Sequence, residues 1–247
     1  MKFYKFGNPD YLLSIAVGRR GKEVLRFGKW AERSVQIKTG RVAKGEIHTQ
    51  KMVSKSRFSD LYNDSETSAK QFVIDKICCY ISENREYCDN KNYGHLCNLF
   101  SALAFEDFFE QSCSRDEAIE KVRKAMCKYL EPTVEKMRRL SENPFFVPFL
   151  KLTMPTKFKF TCGYGWKIEY PKKDKTEFAM TTMECIYCKI FAKYNIFELT
   201  KAFCGVDDLL YSDMPGAAFL YTEQLGTGGK MCDYIFIKKF YIYEGKQ

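Results

Sequence analysis

Three cysteines in the last third of the chain stand next to carboxylates: Glu184-Cys185, Cys204-Gly205-Val206-Asp207 and Cys232-Asp233. A thiol beside a group that takes its proton is the minimal apparatus for nucleophilic attack on an electrophilic carbon. A cysteine opening a helix gains further, because the free N–H groups and the macrodipole favour the thiolate. A second chemistry competes. Cys185-x2-Cys188 has the spacing of a structural zinc ligand pair, which Cys204 or Cys232 would complete. The same i, i+3 spacing also arises from core periodicity on a helix. There is no second Cys-x2-Cys, and neither His48 nor His95 sits in a ligand-like motif, so no metal or cofactor is expected. His95 has an acid/base reading, entering from the helical half, beside the plainer one of a helix-start histidine. Taken singly, each cysteine also fits a small buried hydrophobe. Cys78, Cys79, Cys88, Cys97, Cys113, Cys127 and Cys162 are read that way.

The elements that must position these groups change character midway. Ser68-x-x-Gln71 and Ser114-x-x-Glu117 are capping-box patterns that open helices. Apolar residues follow each at helical spacing (Val73, Ile77, Ile81; Ile119, Val122, Met126). Between them 96–111 is hydrophobic on most sides, as a central buried helix should be. Pro132 is expected to kink or break the third helix. Pro144, Pro148 and Pro155 are expected to punctuate an apolar connector. From residue 157 the period turns strand-like, in 158–162, 165–170 and 176–182. Helices at 184–194 and 197–211 follow, then strands at 217–225 and 232–243 joined through Gly226-Thr-Gly-Gly229. The expected class is α+β, a helical N-terminal half packed on a small, largely antiparallel sheet with two inserted helices. It forms one domain over 61–247 (helical part 68–150, sheet-containing part 157–243). Residues 1–60 are a basic extension, with a helix at 23–35 and a polar loop at 38–65.

Charge sharpens that division. Of 40 Lys/Arg in 247 residues, 14 fall in residues 1–57 against four Asp/Glu, so the first 57 residues carry the whole of the +9 excess. The basic residues are scattered and no nucleic-acid motif accompanies them. A solvated arm or a contact in a homo-oligomer is expected rather than a nucleic-acid partner. No apolar run is long enough to span a bilayer, and the run 11–17 is too short and poorly flanked for a signal peptide. Eleven cysteines, an odd number with Cys78 and Cys79 adjacent, fit a reducing cytoplasm without membrane attachment. No phosphate loop, dinucleotide fingerprint or Ser-His-Asp motif is present.

The spaced residues have a precedent. The chain supplies Cys185 after a strand, Cys204 with Asp207, Thr222 in the next strand, and Gly228-Gly229 before Cys232-Asp233-Tyr234 and Phe236. In this order and spacing, residues 184–237 resemble the C-terminal part of the L-2-amino-thiazoline-4-carboxylic acid hydrolase family. The Cys-Asp-Tyr ending also resembles that of vinyl-reductase-type ligand-binding domains. The first resemblance implies a small-molecule substrate, hydrolytic opening of a cyclic amidine at a C–N bond, and N-carbamoyl cysteine as product. Cys185 is then the nucleophile, Asp207 the base, and Cys204 an assisting thiol. Thr222, Cys232 and Asp233 bind substrate. Where the family pattern has an arginine before the strand threonine, this chain has Tyr221, so if that arginine holds a substrate carboxylate this chain must use another cation or a different substrate. The second resemblance implies the alternative, a non-catalytic small-molecule binding or sensing domain on the same scaffold.

Overall fold

The computed structural model describes residues 42–239. The expected helix at 23–35 and the end of the last strand lie outside them. Within them are eight α-helices and one four-stranded sheet. The class is α+β, as the change of period at mid-chain implies.

Helices α1 (Val42–Ser54), α2 (Ser59–Asp64), α3 (Thr67–Glu83), α4 (Tyr93–Glu110) and α5 (Arg115–Ser141) make the helical half. Residues 42–65, the described part of the expected loop, are therefore largely helical. Their polar look hides Met52, Val53 and Phe58, all fully buried in the main core. α4 is the central helix, and every residue from Leu96 to Glu106 on it is buried. α5 starts at the expected capping box, with both reciprocal Ser114–Glu117 hydrogen bonds formed, and buries Ala118, Val122, Met126, Leu130 and Met137. It runs through Pro132 without ending there. By contrast α3 is capped at Glu66, with no side-chain hydrogen bond, and not by the Ser68 box.

The proline-punctuated connector is also a helix, α6 (Phe146–Thr161). Pro148 sits in its first turn, where a missing N–H costs nothing. Phe158-Lys-Phe is thus helical and not a strand. The sheet follows: β1 (Lys167–Glu169), β2 (Glu177–Glu184), β3 (Ala217–Leu220) and β4 (Cys232–Lys238), ordered β1-β2-β4-β3 and antiparallel throughout. Helices α7 (Ile186–Lys193) and α8 (Leu199–Tyr211) are inserted between β2 and β3. β3 and β4 pair as the expected hairpin, although β3 stops at Leu220.

Two apolar clusters result. The larger joins α1 to α5 with α7 and α8 around Phe100, Phe105, Ile186 and Phe191. The smaller joins the end of α5, α6 and the sheet around Met154, Phe178, Met180, Tyr234 and Phe236. Of the seven cysteines read as core filling, only Cys88 and Cys97 are buried. Among the described residues no helix is long and apolar enough to cross a membrane.

Candidate functional site

A cavity of about 630 Å³ lies where the two apolar clusters meet, and Cys185, Cys204, Asp207 and Cys232 all line it. The arrangement follows from three local patterns. Cys185 leaves β2 in extended conformation (φ −132°, ψ 127°) as the residue before α7. On α8, Thr200, Cys204, Asp207 and Tyr211 recur at i, i+4, i+7 and i+11, one helical face turned to the cavity. On β4 the period is two, so Cys232 and Tyr234 face inward opposite Thr182 and Met180 of β2.

That same alternation turns Asp233 away. Asp233 accepts hydrogen bonds from the backbone N–H groups of Thr222 (2.8 Å) and Glu223 (2.9 Å) and from the Thr222 hydroxyl. The two residues brace the β3–β4 connection, and neither lines the cavity. Glu184 likewise pairs outside, with Lys189. Of the three carboxylates next to cysteines, only Asp207 reaches the shared space. Tyr221, at the position of the expected arginine, donates to Asp208 (3.1 Å).

Asp207 is the electrostatic centre. The Tyr234 hydroxyl donates to its Oδ2 at 2.8 Å, and buried Gln224 donates in turn to the Tyr234 oxygen at 3.4 Å. Burial raises the Asp207 carboxyl from 3.8 to about 6, against the opposing pull of Tyr234 and Arg57. It is therefore ionised at neutral pH yet close to the proton affinity of a general base.

The thiols behave differently from expectation. The Cys185 thiol shares a hydrogen bond with Cys188, and this, with burial, raises its pKa well above the ordinary value. The start of α7 does not outweigh those two effects. Burial pushes Cys204 up to about 12, and Cys232, which accepts from Leu225 N–H at 3.3 Å, is raised as well. These thiols are protonated at neutral pH. Nor do they form a ligand set. Among the described residues, the group of three ligand atoms within 4.8 Å of one another is Glu106, Asp107 and Glu110 on α4. Lys76 pairs with Asp107 at 2.8 Å and Arg115 with Glu110 at 2.6 Å.

Several lining residues carry no sequence motif. Arg57, between α1 and α2, is fixed by its N–H to Asn98 Oδ1 (2.8 Å), and Asn98 is itself buried on α4. Lys157 enters from α6, and burial lowers its ammonium to about 8. Both cations line the cavity, offering the positive charge that Tyr221 does not. His95 contributes an imidazole whose Nδ1 lies 3.3 Å from the Tyr187 hydroxyl and whose Nε2 lies 3.7 Å from Cys162 Sγ. Burial, ahead of Lys157 and Arg57, lowers it to about 3, so it stays neutral. Its ring packs 4.8 Å from that of Trp166. Trp166 Nε1 and Thr200 Oγ1 are buried with no hydrogen-bond partner, and both residues line the cavity. Unpaired buried donors are rare because each costs about 1–3 kcal/mol, so these two mark where a polar ligand atom would be received. The helical series on α8 would have found Thr200 beside Cys204 and Asp207. Arg57, Lys157 and Trp166 come together only through tertiary packing.

No curated protein and no solved structure matches this chain. A family model does, over residues 95–236. The match begins at His95, covers more than half of the sequence, and contains every lining residue named above except Arg57. The chain belongs to the L-2-amino-thiazoline-4-carboxylic acid hydrolase family.

Proposed function

We propose that the cavity binds a small carboxylated cyclic amidine and hydrolyses it, with Asp207 as general base on water. The reading rests on one observation: Asp207, two cations and two unpaired donors line the same cavity. Arg57 and Lys157 hold the carboxylate. Thr200 and Trp166 hydrogen-bond to ring or exocyclic heteroatoms, and Tyr234 holds Asp207 in place.

The chemistry follows from the product. Water oxygen bonds to the amidine carbon C2 while Asp207 accepts one proton and returns it to the ring nitrogen. When the tetrahedral centre collapses, the C2–S bond breaks and the hydroxyl proton goes to the departing sulfur. C2 keeps both nitrogens and becomes the carbonyl of N-carbamoyl cysteine. The scissile bond is therefore C–S, and not the C–N bond that the resemblance first suggested. Direct attack by water is preferred to attack by Cys185 because a protonated thiol is a poor nucleophile.

The test is turnover of 2-amino-thiazoline-4-carboxylate by purified protein, read as thiol release. Asp207→Asn should lower kcat at least 100-fold, the scale of a lost general base. Cys185→Ala should keep kcat within tenfold. The wild-type rate should rise with pH through about 6, where Asp207 ionises. Loss of turnover in Cys185→Ala with retention in Asp207→Asn would reverse the two roles. Binding without turnover would make this a binding domain.

A further inference from the structure

The cavity is too large for the ring acid that names the family. Its 630 Å³ lies in the range of about 300–1,000 Å³ that encloses drug-sized ligands. At a share of about 30 Å³ per water, that is roughly twenty waters of liquid volume. A 2-amino-thiazoline-4-carboxylate, of about nine non-hydrogen atoms, displaces only about five.

The surplus space has a definite character. Thr182, opposite Cys232, and Met180, opposite Tyr234, face the cavity from one side of β2. Two residues of strand advance about 7 Å. Over that distance the wall changes from thiol and hydroxyl to the Met180 thioether and the ring of Tyr234, whose hydroxyl donates to Asp207. α6 packs on the same strand and brings Met154 and Phe158, with the Lys157 cation on the same helix face, and β1 brings Ile168. Leu130 of α5 lies on the facing cluster. Such a wall is a poor host for ordered water, which needs two to four polar partners, and a good one for an apolar group.

We infer that the substrate carries, besides the carboxylate and the amidine, an apolar substituent of about phenyl size that occupies the space walled by Met154, Phe158, Ile168 and Met180. This rests on the hydrolytic reading above and narrows its substrate class to a substituted, carboxylated sulfur–nitrogen heterocycle. The reacting ring sits beside Asp207, at the tip of Tyr234, and the substituent extends from it over the apolar side chains of α6 and β1. The Met-rich wall adapts to the shape of the substituent, since unbranched thioether side chains repack at little cost.

The experiment compares two probes on the full-length protein: 2-amino-thiazoline-4-carboxylate and its 5-benzyl derivative. Turnover and thermal shift are measured for both. The benzyl compound is expected to show at least tenfold higher kcat/KM, the scale of burying a phenyl group, and a larger rise in Tm. Met180→Trp, which fills the apolar end, is expected to reduce the ratio of benzyl to bare kcat/KM at least tenfold. If that variant does not fold, the wild-type thermal shifts decide the matter alone. Equal or better turnover of the bare ring overturns the inference and leaves the hydrolytic reading standing. A larger thermal shift with the benzyl compound, without turnover of either probe, supports the size inference and sinks the hydrolytic reading. No binding of either probe overturns both.

Discussion

Asp207→Asn should do two opposite things at once, and the second is quantifiable. In the folded protein the carboxyl has a pKa of about 6, against 3.8 ordinarily, chiefly because of burial. At about 1.4 kcal/mol for each tenfold change in proton affinity, the ionised group costs the fold about 3 kcal/mol. Asparagine removes that cost. Its side-chain oxygen still accepts the Tyr234 hydroxyl, with the loss of the charge-assisted part of that bond, about 1 kcal/mol. The net gain is about 2 kcal/mol, or roughly 4–8 °C in Tm for a chain of this size. Its pH dependence has a definite sign. Because the folded pKa is raised above the unfolded one, wild type carries no penalty below about pH 4, loses stability between about 4 and 6, and bears the whole penalty above. The assay is urea denaturation of both proteins at pH 4 and pH 7.5, beside the turnover measurement. The variant should be the more stable protein only at pH 7.5, while nearly inactive. A difference that does not change with pH, or a less stable variant at pH 7.5, would refute the claim that Asp207 is held ionised against its surroundings.

Two further outcomes follow from other buried groups. Glu106, buried on α4, is raised to about 8 by burial first and then by Glu110 and Asp107. A raised carboxyl pKa means stability that declines as pH climbs towards 8, so Glu106→Gln should flatten that decline in urea melts from pH 5 to 8.5; parallel curves would rule the effect out. Gly165 has φ +93°, and a Cβ there would lie 2.5 Å from Ile186 Cγ2 and 2.7 Å from the Tyr87 ring. The left-handed backbone alone costs a larger residue about 1–3 kcal/mol, so Gly165→Ala should lower Tm by about 4 °C or more and shift the fluorescence of adjacent Trp166.

What was legible in the sequence was local or strictly periodic. The Ser114 box marks the start of α5, the period change marks the sheet, and the spacing from Cys185 to Tyr234 marks one side of the cavity. Three features of the fold depart from the local pattern for physical reasons. Alternation over the five residues Phe158–Cys162 does not separate a strand from the exposed and buried sides of a helix end. Proline disfavours a helix interior without forbidding it, so α5 continues through Pro132 and α6 through Pro155, while Pro148 fits the first turn of α6. Adjacency to a cysteine does not imply convergence: Glu184 pairs with Lys189, and period two on β4 puts Asp233 on the face opposite to Cys232. Arg57, Lys157 and Trp166 come from three segments with no shared pattern, and only folding brings them to one wall.

The position of the cavity between two apolar clusters also bears on how the molecule holds together. Leu130, Phe203 and Val206 belong to one cluster and Met154, Met180 and Tyr234 to the other, and all six border the same space. Helix α5 runs through both clusters, giving Leu130 to one and Met137 to the other, and local opening of either cluster has its own free energy. A ligand that touches both walls stabilises only the state in which both are closed. Occupancy thus couples the two clusters, and hydrogen exchange should slow together in α4, which borders the cavity through His95 and Asn98, and in β4, which borders it through Cys232 and Tyr234.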